Sequence, residues 1–137
     1  MDIPAGWQLH TRKSPLTEPW EPIYARQQPR ALELALRVRA AHCNGSGTAH
    51  GGLIAALADN AMGLSAGVAV AADQGTPPRG AVTVSLAMDY LDAAQVGEWL
   101  EVRPTVLKAG RTLAFVECLV CCGERTIARD NATFKLG

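Results

Sequence analysis

One stretch limits what this chain can fold into more than any other. HGGLIAALADNAMGLSAGVAVAA, residues 50–72, is apolar or small at nearly every position and carries a single carboxylate, Asp59. It is far longer than an ordinary strand and holds no proline, so it reads as a helix from about His50 to Ala72, ended by DQGTPPRG. No segment offers the roughly 18 uninterrupted apolar residues that a membrane span needs, and the longest charge-free apolar run, Asn60 to Ala72, stops at Asp73. The helix therefore has to be buried by the rest of the chain. At about 100° per residue, Leu53, Leu57, Leu64, Val68 and Ala71 fall on one stripe, which is expected to face a sheet. Asp59 lies roughly 140° from that stripe. Gly52, Ala55, Ala56, Gly63, Ala66 and Val70 share its side. A solvated helix face carries Lys and Glu. A face of small residues predicts a packing partner, most economically a second subunit, with Asp59 in or beside the interface. A carboxylate there needs hydrogen-bond donors, and Asn60 or a backbone turn is the plain structural source.

The flanking segments supply the sheet. ALELALRVRAAHC alternates Leu32, Leu34, Leu36, Val38 and Ala40 against Glu33, Arg37 and Arg39, the period of a half-buried strand. After the helix, AVTVSLAMDYL, GEWLEVRPTVLKAG, RTLAFVECLVCCG and RTIARDNATFKLG read as strands, the last three joined by short turns that imply antiparallel pairing. Residues 1–29 hold five of the eight prolines together with Trp7 and Trp20. That density predicts an irregular arm with at most one short helix, pinned by its tryptophans or closing over a pocket as a lid. The expected architecture is an α+β domain over residues 30–137, with a long central helix on an antiparallel sheet of five to six strands.

Charge narrows the function. Thirteen basic residues balance thirteen acidic ones, whereas a nucleic-acid or polybasic membrane binder carries an excess of Lys and Arg. MDIPAGWQLHTRKSP lacks the cationic start and apolar run of a signal peptide. Cys43 stands alone and Cys118, Cys121 and Cys122 share one strand, a usage that suits a cytoplasmic chain. No C-x-x-C pair of pairs or H-E-x-x-H pattern supports a metal site, and no metal or redox cofactor is expected.

The start of the helix points to chemistry. GTAHGG places Gly51 and Gly52 where the first helical N–H groups lack partners, so a ligand can approach closely and the dipole favours an anion or developing oxyanion. An oxyanion donor and a carboxylate along one cleft are the minimum for attack on an acyl carbonyl. Asn44, Gly47, His50, Gly51 and Gly52, in the pattern N-x-x-G-x-x-H-G-G with Asp59 nine residues after the histidine, resemble the hot-dog-fold thioesterases of the phenylacetate-pathway type. The likeness covers about residues 20–136.

That resemblance implies an acyl-CoA thioesterase in which Asp59 attacks the thioester or activates water. It implies an oxyanion hole from the Gly51 N–H assisted by Asn44, and a His50 that holds local geometry or touches the thioester. The Thr83 hydroxyl would orient the water. It also implies a homodimer as the catalytic unit, with Asp59 and Thr83 from one subunit and Asn44 and Gly51 from the other, and a homotetramer of two such dimers. Gly52 and Met62 are expected to line the substrate site, and Arg111, Lys108 and Arg79 are candidates for the CoA phosphates. Coenzyme A enters as part of the substrate only. The alternative is a hot-dog domain that binds acyl-CoA without turnover, as a carrier or sensor. A hydratase of this fold would need an Asp–His motif that the chain does not show.

Overall fold

The structure, a computed structural model, describes residues 2–137. The helix α1 spans Gly51–Gln74. His50, in extended backbone, caps its start by accepting the Gly52 N–H on Nδ1 at 2.8 Å. Gly75 ends it with φ of 85°, a left-handed turn that glycine adopts without a Cβ penalty, and donates to the Ala71 carbonyl at 2.9 Å. By length and composition α1 would suit a membrane span, yet it lies against β3, β4, β5, β6 and β7 of the sheet described next.

That sheet holds β1 (Gln8–Leu9), β2 (Tyr24–Gln28), β3 (Ala31–Arg37), β4 (Ala81–Tyr90), β5 (Trp99–Ala109), β6 (Leu113–Cys122) and β7 (Arg125–Leu136). Their order is β1-β2-β3-β5-β6-β7-β4, and every neighbouring pair is antiparallel. The expected α+β architecture stands, with seven strands in place of five to six. The two additional strands come from the segment read as an irregular arm. Pro29 sits in the turn between β2 and β3 and Pro22 precedes β2, so neither proline interrupts a ladder hydrogen bond. The tryptophans pin this segment: Trp7 is buried edge-on against Trp99 at 5.7 Å, and the Trp20 carbonyl meets His42 Nε2 at 2.8 Å.

The core lies between α1 and the inner face of the sheet, where Leu34, Leu36, Leu100, Val102, Val116, Val120, Ile127 and Phe134 are buried. The helix presents a different stripe to it from the one expected. Leu53 and Leu57 are buried, but so are Ile54, Ala58, Ala61, Met62, Ser65, Ala66, Ala69 and Val70. Leu64, Val68 and Ala71 are only partly covered and line a cleft. The larger residues mislead because Ala58, Ala61, Ala66 and Ala69 take places in the contact surface beside the bulkier side chains and let strands approach closely. Ser65, buried among them, donates to the Leu32 carbonyl at 3.2 Å and accepts the Leu32 N–H at 2.9 Å. Glu33, assigned by alternation to the solvent side, is buried and accepts from Arg26 at 2.7 Å.

Candidate active site

Asp59 sits midway along α1, half-covered, on the side turned from the sheet centre. Its i+4 successors Gly63, Gly67 and Ala71 continue the same row and form the floor of a cleft of about 570 Å³. Leu64 and Val68 flank the row, Thr83 of β4 and Phe134 of β7 form the opposite wall, and Pro77 to Gly80 close one end. Arg12, Lys13 and Ser14 of the N-terminal segment also line it, with Leu32, Asn60 and Ala81. The helix stays this close to β7 because residue 63 has no side chain: a Cβ there would lie 3.2 Å from the Phe134 ring.

The Thr83 hydroxyl donates to Asp59 Oδ1 at 2.6 Å. Thr83 faces inward because it pairs with Phe134, and the register shifts between Thr83 and Ser85, a bulge just beyond the hydroxyl. One carboxylate oxygen is thereby oriented, and the other is left for a proton or an electrophile. That arrangement can deprotonate a water or attack a carbonyl carbon.

The helix start is a second cluster. Gly52 donates its N–H to His50 Nδ1, which leaves the imidazole anchoring the first turn. Among the described residues the Gly51 N–H meets no acceptor. Tyr90, at the end of β4, donates its hydroxyl to the Gly51 carbonyl at 2.6 Å, and its ring lies 3.3 Å from where a Gly51 Cβ would stand. Burial, then the nearby Asp130, raises the Tyr90 pKa, so the phenol stays a donor. Asn44 stands just before this turn: Oδ1 accepts the Ser46 and Thr48 N–H groups at 2.9 and 3.2 Å and Nδ2 donates to the Thr48 hydroxyl at 3.0 Å. It folds the loop that delivers His50 and Gly51.

Arg79 lines the Asp59 cleft. Arg111 lines a neighbouring cavity of about 180 Å³ that shares Pro77 and Pro78 with it. Lys108 is exposed on β5 and lines neither. Gly52 is exposed at the helix start. Met62 is fully buried in the core and does not reach the cleft, because it lies about 60° round the helix from Asp59, on the side toward the sheet. Sequence reasoning missed Arg12, Lys13, Ser14 and Tyr90. Only the HTRKS run in a proline-rich segment and the aromatic at the strand end could have signalled them.

Comparison with known proteins agrees with this architecture. The model of the family described as Thioesterase superfamily matches residues 46–128. A Pseudomonas aeruginosa protein bearing an esterase designation is 42% identical, over 99% of this chain and 98% of its own. Human acyl-coenzyme A thioesterase 13 is 38% identical over 74% of this chain and 70% of its own. Among solved structures, a mutant of the phenylacetic acid degradation protein of Thermus thermophilus superposes with a TM-score of 0.73 at 28% identity, covering 89% of this chain and 98% of that one. A long helix cupped by one antiparallel sheet, shared with such structures, is the hot-dog fold. Both the match to more than half of its length and the end-to-end relative lead to one conclusion: the chain belongs to the thioesterase superfamily.

Proposed function

We propose that the protein hydrolyses acyl-CoA thioesters to a free acid and CoA. The observation that carries this reading is the Thr83 hydroxyl on Asp59 at 2.6 Å in the wall of a cleft with an apolar floor. The human relative's name, acyl-coenzyme A thioesterase 13, supports the substrate class. Asp59 accepts a proton from water as the oxygen adds to the thioester carbonyl. The tetrahedral oxyanion is held by a Gly51 N–H, with Asn44 assisting through the loop it closes. The C–S bond then breaks, and the sulfur leaves with the proton that Asp59 returns. In the other route Asp59 itself attacks the carbonyl, the C–S bond breaks to release CoA as the thiolate, and water hydrolyses the resulting anhydride to the free acid and Asp59.

One chain does not supply both ends of this site. Gly51 and Asp59 are eight residues apart on one helix, about 12 Å, whereas a base and an oxyanion donor must meet within about 3 Å of one carbonyl. The site is complete only if a second chain brings its Gly51 to this Asp59. Strand β4 provides the means: it is the last strand of the sheet, ten residues long, and Val82 and Val84 are 67% and 60% exposed. A long apolar edge of this kind invites pairing with another edge. The catalytic unit is therefore a homodimer joined along β4. Leu113, Phe115 and Leu119, exposed on the outer face of β6, suit a further contact between dimers.

The test is hydrolysis of an acyl-CoA panel by the native protein and by Asp59→Asn, with CoA followed by chromatography so that the partly exposed Cys43 thiol does not compete for a thiol dye. Turnover should fall by at least about 10³-fold in the variant without loss of fold. Retained activity in Asp59→Asn sinks the assignment, and tight binding without any turnover favours a carrier. Single turnover in ¹⁸O water separates the two routes, since only the anhydride route can place label in Asp59.

A further inference from the structure

The Asp59 cleft is apolar along its floor and cationic at its rim. Gly63, Leu64, Gly67, Val68 and Ala71 offer no side-chain donor or acceptor, and Asp59 is the one acid in the lining, against Arg12, Lys13 and Arg79. Lys13 reaches Glu21 at 3.4 Å. Among the described residues the Arg12 and Arg79 guanidiniums enter no ion pair.

Resting on the thioesterase reading above, we propose that the acyl group ends in a carboxylate, and that Arg12, with Arg79 beside it, reads that end. Hydrocarbon suits the floor, whereas the pantetheine arm of CoA carries two amides that this floor would leave unpaired. A carboxylate at the far end of the chain would meet a guanidinium that already matches it in charge and fork geometry. Length agrees. Arg79 precedes Thr83 by four residues, about 13 Å of extended chain, and the row from Asp59 to Ala71 runs about 18 Å. With the reach of an arginine side chain subtracted, the gap fits an acyl chain of roughly six to ten carbons at ~1.2 Å per bond. The N-terminal segment thus acts as a specificity element, and its Trp7 and Trp20 anchors hold Arg12 over the cleft.

The experiment compares suberoyl-CoA, a thioester of an eight-carbon dicarboxylic acid, with octanoyl-CoA and octanoyl-pantetheine. The native protein should favour suberoyl-CoA over octanoyl-CoA in kcat/KM by about tenfold. That ratio should fall about fivefold in Arg12→Gln and invert in Arg12→Glu. A native preference for octanoyl-CoA, or a ratio that both variants leave unmoved, overturns the proposal. So does equal weakening of both CoA esters with octanoyl-pantetheine spared, because the cations would then serve the phosphates of CoA. Calorimetry with suberate and octanoate keeps the two readings apart. Suberate binding that Arg12→Glu abolishes, in a protein that hydrolyses no thioester, would sink the thioesterase reading and sustain this one. No turnover together with no Arg12-dependent binding would sink both.

Discussion

Two carboxylates in this small domain face opposite fates, and their surroundings decide which is useful. Asp59 has a hydroxyl donor and an open cleft. Asp130, 4% exposed on the inner face of β7, has both oxygens buried without a partner. The neighbouring Cys118 thiol would ease its ionisation, but that Sγ donates to the Leu119 carbonyl at 3.6 Å. Burial pushes the Asp130 pKa up to about 6, from the 3.8 of a free carboxyl. The unfolded chain therefore loses this proton first as pH rises, and native stability falls across the window from about 4 to about 6. At pH 8 the penalty is about 3 kcal/mol at most. Asp130→Asn, which keeps its polar atoms buried, should gain about 1–2 kcal/mol in denaturant melts at pH 8, with the gain gone below pH 4. A constant gain at all pH values would show that ionisation is not the cause. His42 works in the opposite direction. Burial, then Arg39, lowers its pKa, and its Nδ1 accepts the Arg39 N–H at 3.1 Å, so the folded state prefers the neutral ring. Its contribution is full above the ordinary histidine value of about 6.5 and is lost as pH falls below it. At Asp59, the carboxylate proposed above as the catalytic base, Thr83→Ser should keep most of kcat, while Thr83→Val, equal in shape, should lower it about tenfold to hundredfold. Equal rates in the two variants would remove the hydroxyl from the mechanism.

Helix α1 is at once the main core element and the floor of the cleft, and its glycines separate the two duties. A Cβ on Gly67 would meet nothing within 4 Å, whereas one on Gly63 would press on Phe134. Gly67→Ala should thus raise stability by about 0.5–1 kcal/mol through helix propensity, and Gly63→Ala should return less or nothing. Gly67→Leu should instead fill the cleft and lower kcat/KM increasingly with acyl length, read across a chain-length series. The helix itself was legible in the sequence: a segment of residues 50–72 without proline and with one acid admits little else, and the observed span is Gly51–Gln74. Strands β4 to β7 announced themselves by alternation and short turns. Legibility stopped where tertiary contact overrides side-chain size. Leu64 and Val68 look like core residues and line the cleft, while Ala58, Ala61 and Ala66 form the core surface. Nor does anything local in TEPWEPIYARQQP mark Tyr24–Gln28 as a strand, since its pairing energy comes from β3, across a turn at a proline. The carboxylate, its hydroxyl and the glycine helix start were visible as residue types. The cations of the N-terminal segment were not, because only the fold brings residues 12–14 to residues 59–71.

If no single chain holds a working site, as proposed above, activity in a mixture of two defective chains is set by how they pair. Gly51 is the first helical residue, and His50 before it has φ of −66° and ψ of 134°. Proline is tolerated at this first position and restricts its predecessor to that same extended region. Gly51→Pro should therefore delete the oxyanion donor and little else, with the Tyr90 ring giving way by a few tenths of an ångström. Alone it should be inactive, as should Asp59→Asn. Mixed and allowed to exchange, the two inactive proteins form heterodimers in which one site pairs the intact Asp59 of one chain with the intact Gly51 of the other, while the second site carries both defects. Random association makes about half of the dimers mixed, with one of two sites restored in each, so activity should return to about a quarter of the native value. A β4 charge such as Val84→Lys should prevent both dimer formation, read by sedimentation, and this recovery. If mixing restores nothing while sedimentation shows that heterodimers form, the two groups do not meet across an interface, and Asp59 must find its oxyanion donor within its own chain.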